Sequence, residues 1–179
     1  MLSFGTVAFK KPSQTCDENV LYDYAIGALG RKMRTVAELK RLLRNRCRDE
    51  EVIGSVISRL KDHKYLSDSA YAAAYSAFRR DNQKFGRRRV ITDLKTKGVH
   101  GEVIEKAIDE AYTGVDELEL ARSFLKRKRI GRPADNRAAA RIFRALLRAG
   151  FGVSTSIKVL KNWKVEDEVI SALEEEAGS

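Results

Sequence analysis

The chain has 179 residues, 43% of them hydrophobic and only two of them proline, so it can bury a core and is not of disordered composition. Thirty-five Lys and Arg against 25 Asp and Glu leave a net charge of +10, and a pI near 9.7 suits a nucleic-acid partner. No apolar run reaches the roughly 18 residues of a membrane span. Met1 to Phe9 lacks the basic start and apolar length of a signal peptide, so a cytoplasmic protein is expected.

Residues 1–15 read as a loose N-terminal tail rather than a strand. A first amphipathic helix follows, with Leu21, Ala25, Ala28 and Leu29 spaced i, i+4, i+7, i+8 on one face. Thr35 is placed to cap a second helix, where Leu39 and Leu43 face inward and Arg41, Arg44 and Arg48 mostly outward. The third begins at Asp49-Glu50-Glu51, where carboxylates meet the positive end of the helix dipole, and buries Val52, Ile53, Val56, Ile57 and Leu60. Ser67-Asp68 caps a fourth, whose Tyr71, Ala74, Tyr75 and Phe78 have the spacing of a core stripe rather than a base-stacking platform. Phe85-Gly86 breaks the chain, and Arg87 to Lys97 is the fifth helix. Gly98 supplies the left-handed residue that ends it, and Val103 to Ala111 is the sixth. Leu118, Ala121 and Leu125 mark the seventh, and Ile130-Gly131-Arg132-Pro133 is a loop. Ala138 to Ala149, ended by Gly150, is the eighth. Ser154-Thr155 is placed to cap the ninth, which runs through Leu160 to a packing Trp163. Val165, Val169, Ile170 and Leu173 make a further amphipathic segment. Strand signals are almost absent, so an all-α monomer is expected. Both cysteines, Cys16 and Cys47, fall in helical-looking segments, and no disulfide framework is expected.

These stripes repeat. Leu39, Leu43, Ile53, Val56, Ile57 and Leu60 recur 51 residues later as Val90, Leu94, Ile104, Ala107, Ile108 and Ala111. Another 52 residues on stand Ile142, Leu146, Val159 and Leu160, with Ile157 one position out of register. A period near 50 residues means stacked copies of one supersecondary unit. The expected organisation is three tandem three-helix units over residues 16–66, 67–114 and 115–179, the last carrying a C-terminal helical cap.

The charge repeats with the stripes. Arg31 to Arg48 carries eight basic residues and one acid, Arg79 to Lys97 eight and two, Arg122 to Arg148 ten and one, with acidic stretches between. Three basic blocks in register argue for a continuous stripe rather than a solvated helix face. Its candidate residues are Arg41, Arg44 and Arg48; Arg87, Arg88 and Arg89; and Lys126, Arg127, Lys128, Arg129, Arg132, Arg141 and Arg144. Such a stripe would meet nucleic-acid phosphates, the acidic side of a protein partner, or both, and would hold single- or double-stranded DNA weakly and in a salt-dependent way.

Catalytic signatures are missing. The sequence has no Gly-x-x-x-x-Gly-Lys-[Ser/Thr] loop and no strand-borne Gly-x-Gly-x-x-Gly, so no nucleotide or redox cofactor is implied. His63, in a loop, and His100, in the turn after Gly98, have no partners at metal-ligand spacing. Neither an enzyme nor a metalloprotein is expected.

Four local patterns in this order resemble the RecX family, regulators of the RecA recombinase, over roughly residues 19–160. Thr35-Val36-Ala37-Glu38-Leu39 with Leu43 is similar to the family's first-unit pattern, and Tyr65-Leu66-Ser67-Asp68 with Tyr71-Ala72 to its junction. Gly86 with Val90 and Leu94, leading to Lys97-Gly98-Val99, resembles the second-unit signature, and Arg148-Ala149-Gly150-Phe151 its Arg-Gly-Phe element. The chain departs at Lys64, where the junction usually has Gly, at Ser67, where it usually has Asp, and at Cys47, the counterpart of Gly98. The resemblance implies a curved, elongated array of three-helix units. It also implies a non-catalytic protein that binds RecA filaments and blocks their extension or promotes their disassembly, modulating recombination, repair and the SOS response. A helical-repeat nucleic-acid binder without a recombinase partner is the alternative. A helix-turn-helix transcription regulator suits the chain less, because it reads bases with one recognition helix rather than three similar units.

Overall fold

A computed structural model of the chain describes residues 17–178. Among them are ten helices and no strand: α1 (Glu18–Arg31), α2 (Val36–Arg44), α3 (Glu50–Asp62), α4 (Asp68–Asp81), α5 (Arg87–Thr96), α6 (Gly101–Tyr112), α7 (Glu117–Arg127), α8 (Asn136–Arg148), α9 (Val153–Asn162) and α10 (Asp167–Gly178). The helices divide into two compact units, one ending at Leu66 and one beginning at Ser67. The expected tail, residues 1–15, lies outside the described residues.

In the first unit the local chemistry of each helix start is visible in the sequence. The Asp17 carboxylate accepts from the backbone N–H groups of Asn19 and Val20, at 2.8 and 3.2 Å. Thr35 and Glu38 form a reciprocal capping box on α2. Asp49 caps α3 by accepting from Glu51 and Val52. The stripes Leu21–Ala25–Ala28, Leu39–Leu43 and Ile53–Val56–Ile57–Leu60 close on each other as one buried cluster. Leu29 and Val52 lie half-buried at its edge.

Cys47 departs from expectation. Helix α2 ends at Arg44, so Cys47 and Arg48 lie in the turn before α3 and not on a helix. There the Cys47 backbone N–H donates to the Leu43 carbonyl at 2.9 Å, and its side chain turns into the core at 1% exposure. Cys47 is disulfide-bonded, although its sequence context led to no disulfide framework being expected. The chain's other cysteine, Cys16, lies outside the described residues.

The second unit has two adjoining cores. In the first, Tyr71 and Ala72 of α4, Val90 and Leu94 of α5, and Ile104, Ala107 and Ile108 of α6 pack together. In the other, Phe124, Phe143, Leu146, Phe151, Leu160 and Leu173 join α7 to α10. Phe78 is not a core residue. The inward face of α4 buries Tyr71, Ala72 and Ser76, which leaves Phe78 on its flank at 52% exposure and Ala74 exposed. Ser156, not Ile157, takes the repeat position of Ile53 and Ile104. It is fully buried, and its hydroxyl donates to the Gly152 carbonyl at 2.8 Å, while Ile157 is buried beside it.

Helix ends hold the two cores together. The start of α5 has no side-chain cap. Its Gly86 N–H donates to the Ala149 carbonyl at 2.8 Å, and its Arg88 N–H to the Gly150 carbonyl at 3.2 Å. The orphan donors of one helix thus satisfy the orphan acceptors at the end of α8. The approach is so close that a Cβ on Gly86 would stand 2.4 Å from the Gly150 oxygen. Ser154 and Thr155 do not cap α9. Its N-cap is Gly152, and the Glu117 carboxylate of α7 reaches in to accept from the Gly152 N–H, at 3.3 Å, and from the Thr155 hydroxyl. That places a negative charge at a helix N-terminus.

Lys64, which stands where the resembled junction has glycine, has φ +60°, and Gly98 and Gly150 have φ +77° and +94°. All three end helices in the left-handed conformation that glycine adopts most readily.

The same seam makes a pH-dependent contribution. The Tyr112 hydroxyl donates to the Phe85 carbonyl at 2.9 Å, and burial pushes its pKa from the usual 10.0 to about 12. A raised folded-state value means stability that is fully present below pH 10 and is lost as pH rises towards about 12. Tyr112→Phe is expected to flatten that alkaline loss in urea-unfolding midpoints measured across this window. An unchanged slope would mean that Tyr112 is not its source.

Candidate functional site

The thirteen basic residues expected to form the stripe are all exposed, but their electrostatic states differ. Four are already neutralised. Arg44 grips Glu50 with two hydrogen bonds, at 2.7 and 3.0 Å, and Arg144 grips Glu176 in the same way, at 2.9 and 3.0 Å. These guanidiniums hold the Glu50 and Glu176 carboxyls below the usual carboxylate range. Arg87 pairs with Asp109, and Arg89 with Asp93 at 3.1 Å. The other nine, Arg41, Arg48, Arg88, Lys126, Arg127, Lys128, Arg129, Arg132 and Arg141, have no acidic partner among the described residues.

Asp93 is occupied because it anchors a node between α4 and α5. It accepts from Arg79 and from the Tyr75 hydroxyl, the latter at 3.1 Å, as well as from Arg89. Asp93 and Arg79 are only 14% and 16% exposed, and the Arg79 guanidinium lies 4.4 Å from the Phe85 ring centre. Arg89 therefore belongs to a structural cluster, although its sequence neighbour Arg88 has no acidic partner among the described residues.

The unpaired charge is concentrated in the second unit around the α7–α8 connection. Lys126 and Arg127 close α7, where cations complement the negative end of the helix. Arg129 sits in the following turn at φ +56°, and Arg132 lies farther along the loop. On α8, Arg141 and Arg144 belong to a longer strip that sequence reasoning left incomplete. Arg137 and Arg148 are also exposed, and 137, 141, 144 and 148 follow the i, i+4, i+7, i+11 spacing of one face. That spacing was the available signal. The opposite face buries Ala139, Ile142, Phe143 and Leu146.

His63 is exposed at the end of α3, with its Nδ1 2.7 Å from the Tyr22 hydroxyl, and His100 occupies the N-cap position of α6. No group of three or more His, Cys, Asp or Glu among the described residues is placed to hold a metal. No helix among them is long and apolar enough to cross a membrane.

Comparison with known proteins matches this arrangement to two family models, the first three-helix domain of RecX over residues 22–60 and the second over residues 67–108. The third basic block lies beyond both. The chain is similar to the regulatory protein RecX of Leptothrix cholodnii, 35% identical over 138 residues that cover 76% of this chain and 85% of the relative. The regulatory protein RecX of Mycolicibacterium vanbaalenii is 30% identical over 136 residues, covering 72% and 74%. Against that of Caldanaerobacter subterraneus subsp. tengcongensis, 31% identical over 107 residues, the match covers 60% of this chain but only 54% of the relative. The chain thus spans about half the length of some of the curated relatives it matches. The crystal structure of RecX from Lactobacillus salivarius shares the fold, with a TM-score of 0.67 at 22% identity over 82% of this chain and 96% of that one. An all-helical chain built of tandem three-helix domains, matched in both family models and at this level of identity, belongs to the RecX family of regulatory proteins.

Proposed function

We propose that this chain is a non-catalytic cytoplasmic regulator that binds RecA–DNA filaments as a monomer and inhibits RecA. It would do so by blocking filament extension or promoting disassembly, and would thereby modulate recombination, DNA repair and the SOS response. Membership of a family of regulatory proteins carries this reading. The nine basic side chains without acidic partners support it, because only unpaired cations are free to meet phosphates at no cost in broken ion pairs. Three tandem three-helix units remain our reading of the organisation.

The test is a titration into RecA–single-stranded DNA during ATP hydrolysis. The expected result is inhibition well below one chain per RecA, since capping a growing end takes few molecules. The alternative, a helical-repeat protein that only competes for DNA, needs amounts comparable to the DNA sites. Inhibition that appears only near saturation and disappears with excess DNA would decide for that alternative.

A further inference from the structure

The α7–α8 connection and α8 enclose an open cleft of about 310 Å³. Ile130 and Pro133 of the loop and Ile142 and Ala145 of α8 form its apolar floor, and Arg132 and Arg141 stand among its lining residues. Neither arginine has an acidic partner among the described residues. The nearest carboxylate in sequence, Asp135, is engaged in capping α8, accepting from the Ala138 N–H at 2.6 Å.

We infer that this cleft docks a segment of a partner protein: one apolar side chain seated between carboxylates that meet Arg132 and Arg141. The two arginines favour an anionic occupant, because a guanidinium pairs most strongly with carboxylate or phosphate. The floor then chooses between protein and nucleic acid. A nucleobase would bring polar edge groups into a cavity whose floor is aliphatic, with no aromatic ring to stack on. Burying such groups without partners is costly. An aliphatic or aromatic side chain brings no such groups and gains by leaving water. The inference rests on the regulator reading only for the kind of partner. It separates two parts of one basic block: Arg132 and Arg141 for a protein, and Lys126 to Arg129 for phosphates.

The experiment measures binding of the full chain to two dye-labelled probes by fluorescence anisotropy. One is a short peptide with a single leucine flanked on both sides by glutamates. The other is an oligothymidine. Arg132→Gln with Arg141→Gln is expected to weaken the peptide roughly tenfold or more. Ala145→Leu, which fills the floor without changing charge, is expected to weaken the peptide by a similar factor and to leave oligothymidine unchanged. Replacing the peptide's leucine by serine should abolish its binding. If Ala145→Leu reduces helicity, Ala138→Leu is read instead, since Ala138 lines the same cleft from the first turn of α8. The inference is overturned if the wild-type chain does not bind the peptide, or if neither filling variant weakens it. It is also overturned if the filling variants weaken oligothymidine as much as peptide, which would put a base in the cleft. RecA inhibition read on the same proteins keeps the two readings apart. Inhibition without peptide binding sinks the cleft alone, and peptide binding without inhibition sinks the regulator reading alone.

Discussion

Gly150→Ala is expected to destabilise the unit formed by residues 67–178 by about 3–5 kcal/mol, among the largest effects a single methyl group can have in this chain. Two costs combine. Gly150 has φ +94°, where any Cβ is strained, and that Cβ would stand 2.3 Å from the Arg89 backbone nitrogen and 2.7 Å from the Gly86 oxygen. These neighbours are backbone atoms and cannot swing aside. Gly86→Ala isolates the steric part, because its φ of −73° is ordinary while its Cβ would meet the Gly150 oxygen and carbon at 2.4 and 2.5 Å. Both variants must open the seam that carries the Gly86–Ala149 and Arg88–Gly150 hydrogen bonds. Their effects should therefore be strongly non-additive, the second substitution costing little once the first has parted the helix ends. Gly27→Ala and Gly54→Ala are the controls. Both lie inside helices with nothing within 4 Å of the added Cβ, and they should stabilise by about 0.5–1 kcal/mol. Urea unfolding with hydrogen exchange at α5 and α8 reads all four. Additive losses, or a Gly150→Ala protein of wild-type stability, would mean that the seam is not a point of close docking.

Replacing Lys126, Arg127, Lys128 and Arg129 together by Gln is expected to weaken single-stranded DNA binding severely. The salt slope of log K should fall by about 3, at about 0.7 for each phosphate that the variant no longer neutralises. All four side chains are exposed and none has an acidic partner among the described residues, so helicity and melting temperature should stay nearly unchanged. Arg44→Gln and Arg144→Gln make the contrast. Each removes a charge already held by Glu50 or Glu176, and each should leave the salt slope close to wild type. A quadruple variant with an unaltered slope would move the phosphate-binding role to Arg41, Arg48 and Arg88. Loss of fold in that variant would make the cluster structural.

Much of this molecule is local, and local features are legible in a sequence. The starts of α2, α3 and α4 depend on residues within three positions of the cap. The stripe positions that recur at 51 and 52 residues from Leu39 and Leu43 are all buried. The positions misread are those whose environment arrives from elsewhere in the chain. Ser154-Thr155 has the composition of a cap, yet the start of α9 is served by Glu117, 35 residues away. Phe78 has core spacing, but the orientation of α4 against α5 and α6 leaves it on the flank. Cys47 follows a helical pattern that α2 abandons three residues earlier.

The charge divides in the same way. The sequence by itself determined the all-helical class, the repeat, the family and the three basic blocks, because periodicity, capping chemistry and charge runs are properties of neighbouring residues. Which of those charges remain free was decided only by tertiary structure. Arg88 and Arg89 are identical in sequence terms, yet Arg89 is held by the half-buried Asp93 node while Arg88 has no acidic partner among the described residues. Arg144 is cancelled by Glu176, 32 residues away, and Arg141, one turn earlier on the same helix, is not. An ion pair is a distance in space, and no sequence spacing encodes the packing of α10 against α8 that brings Glu176 to Arg144.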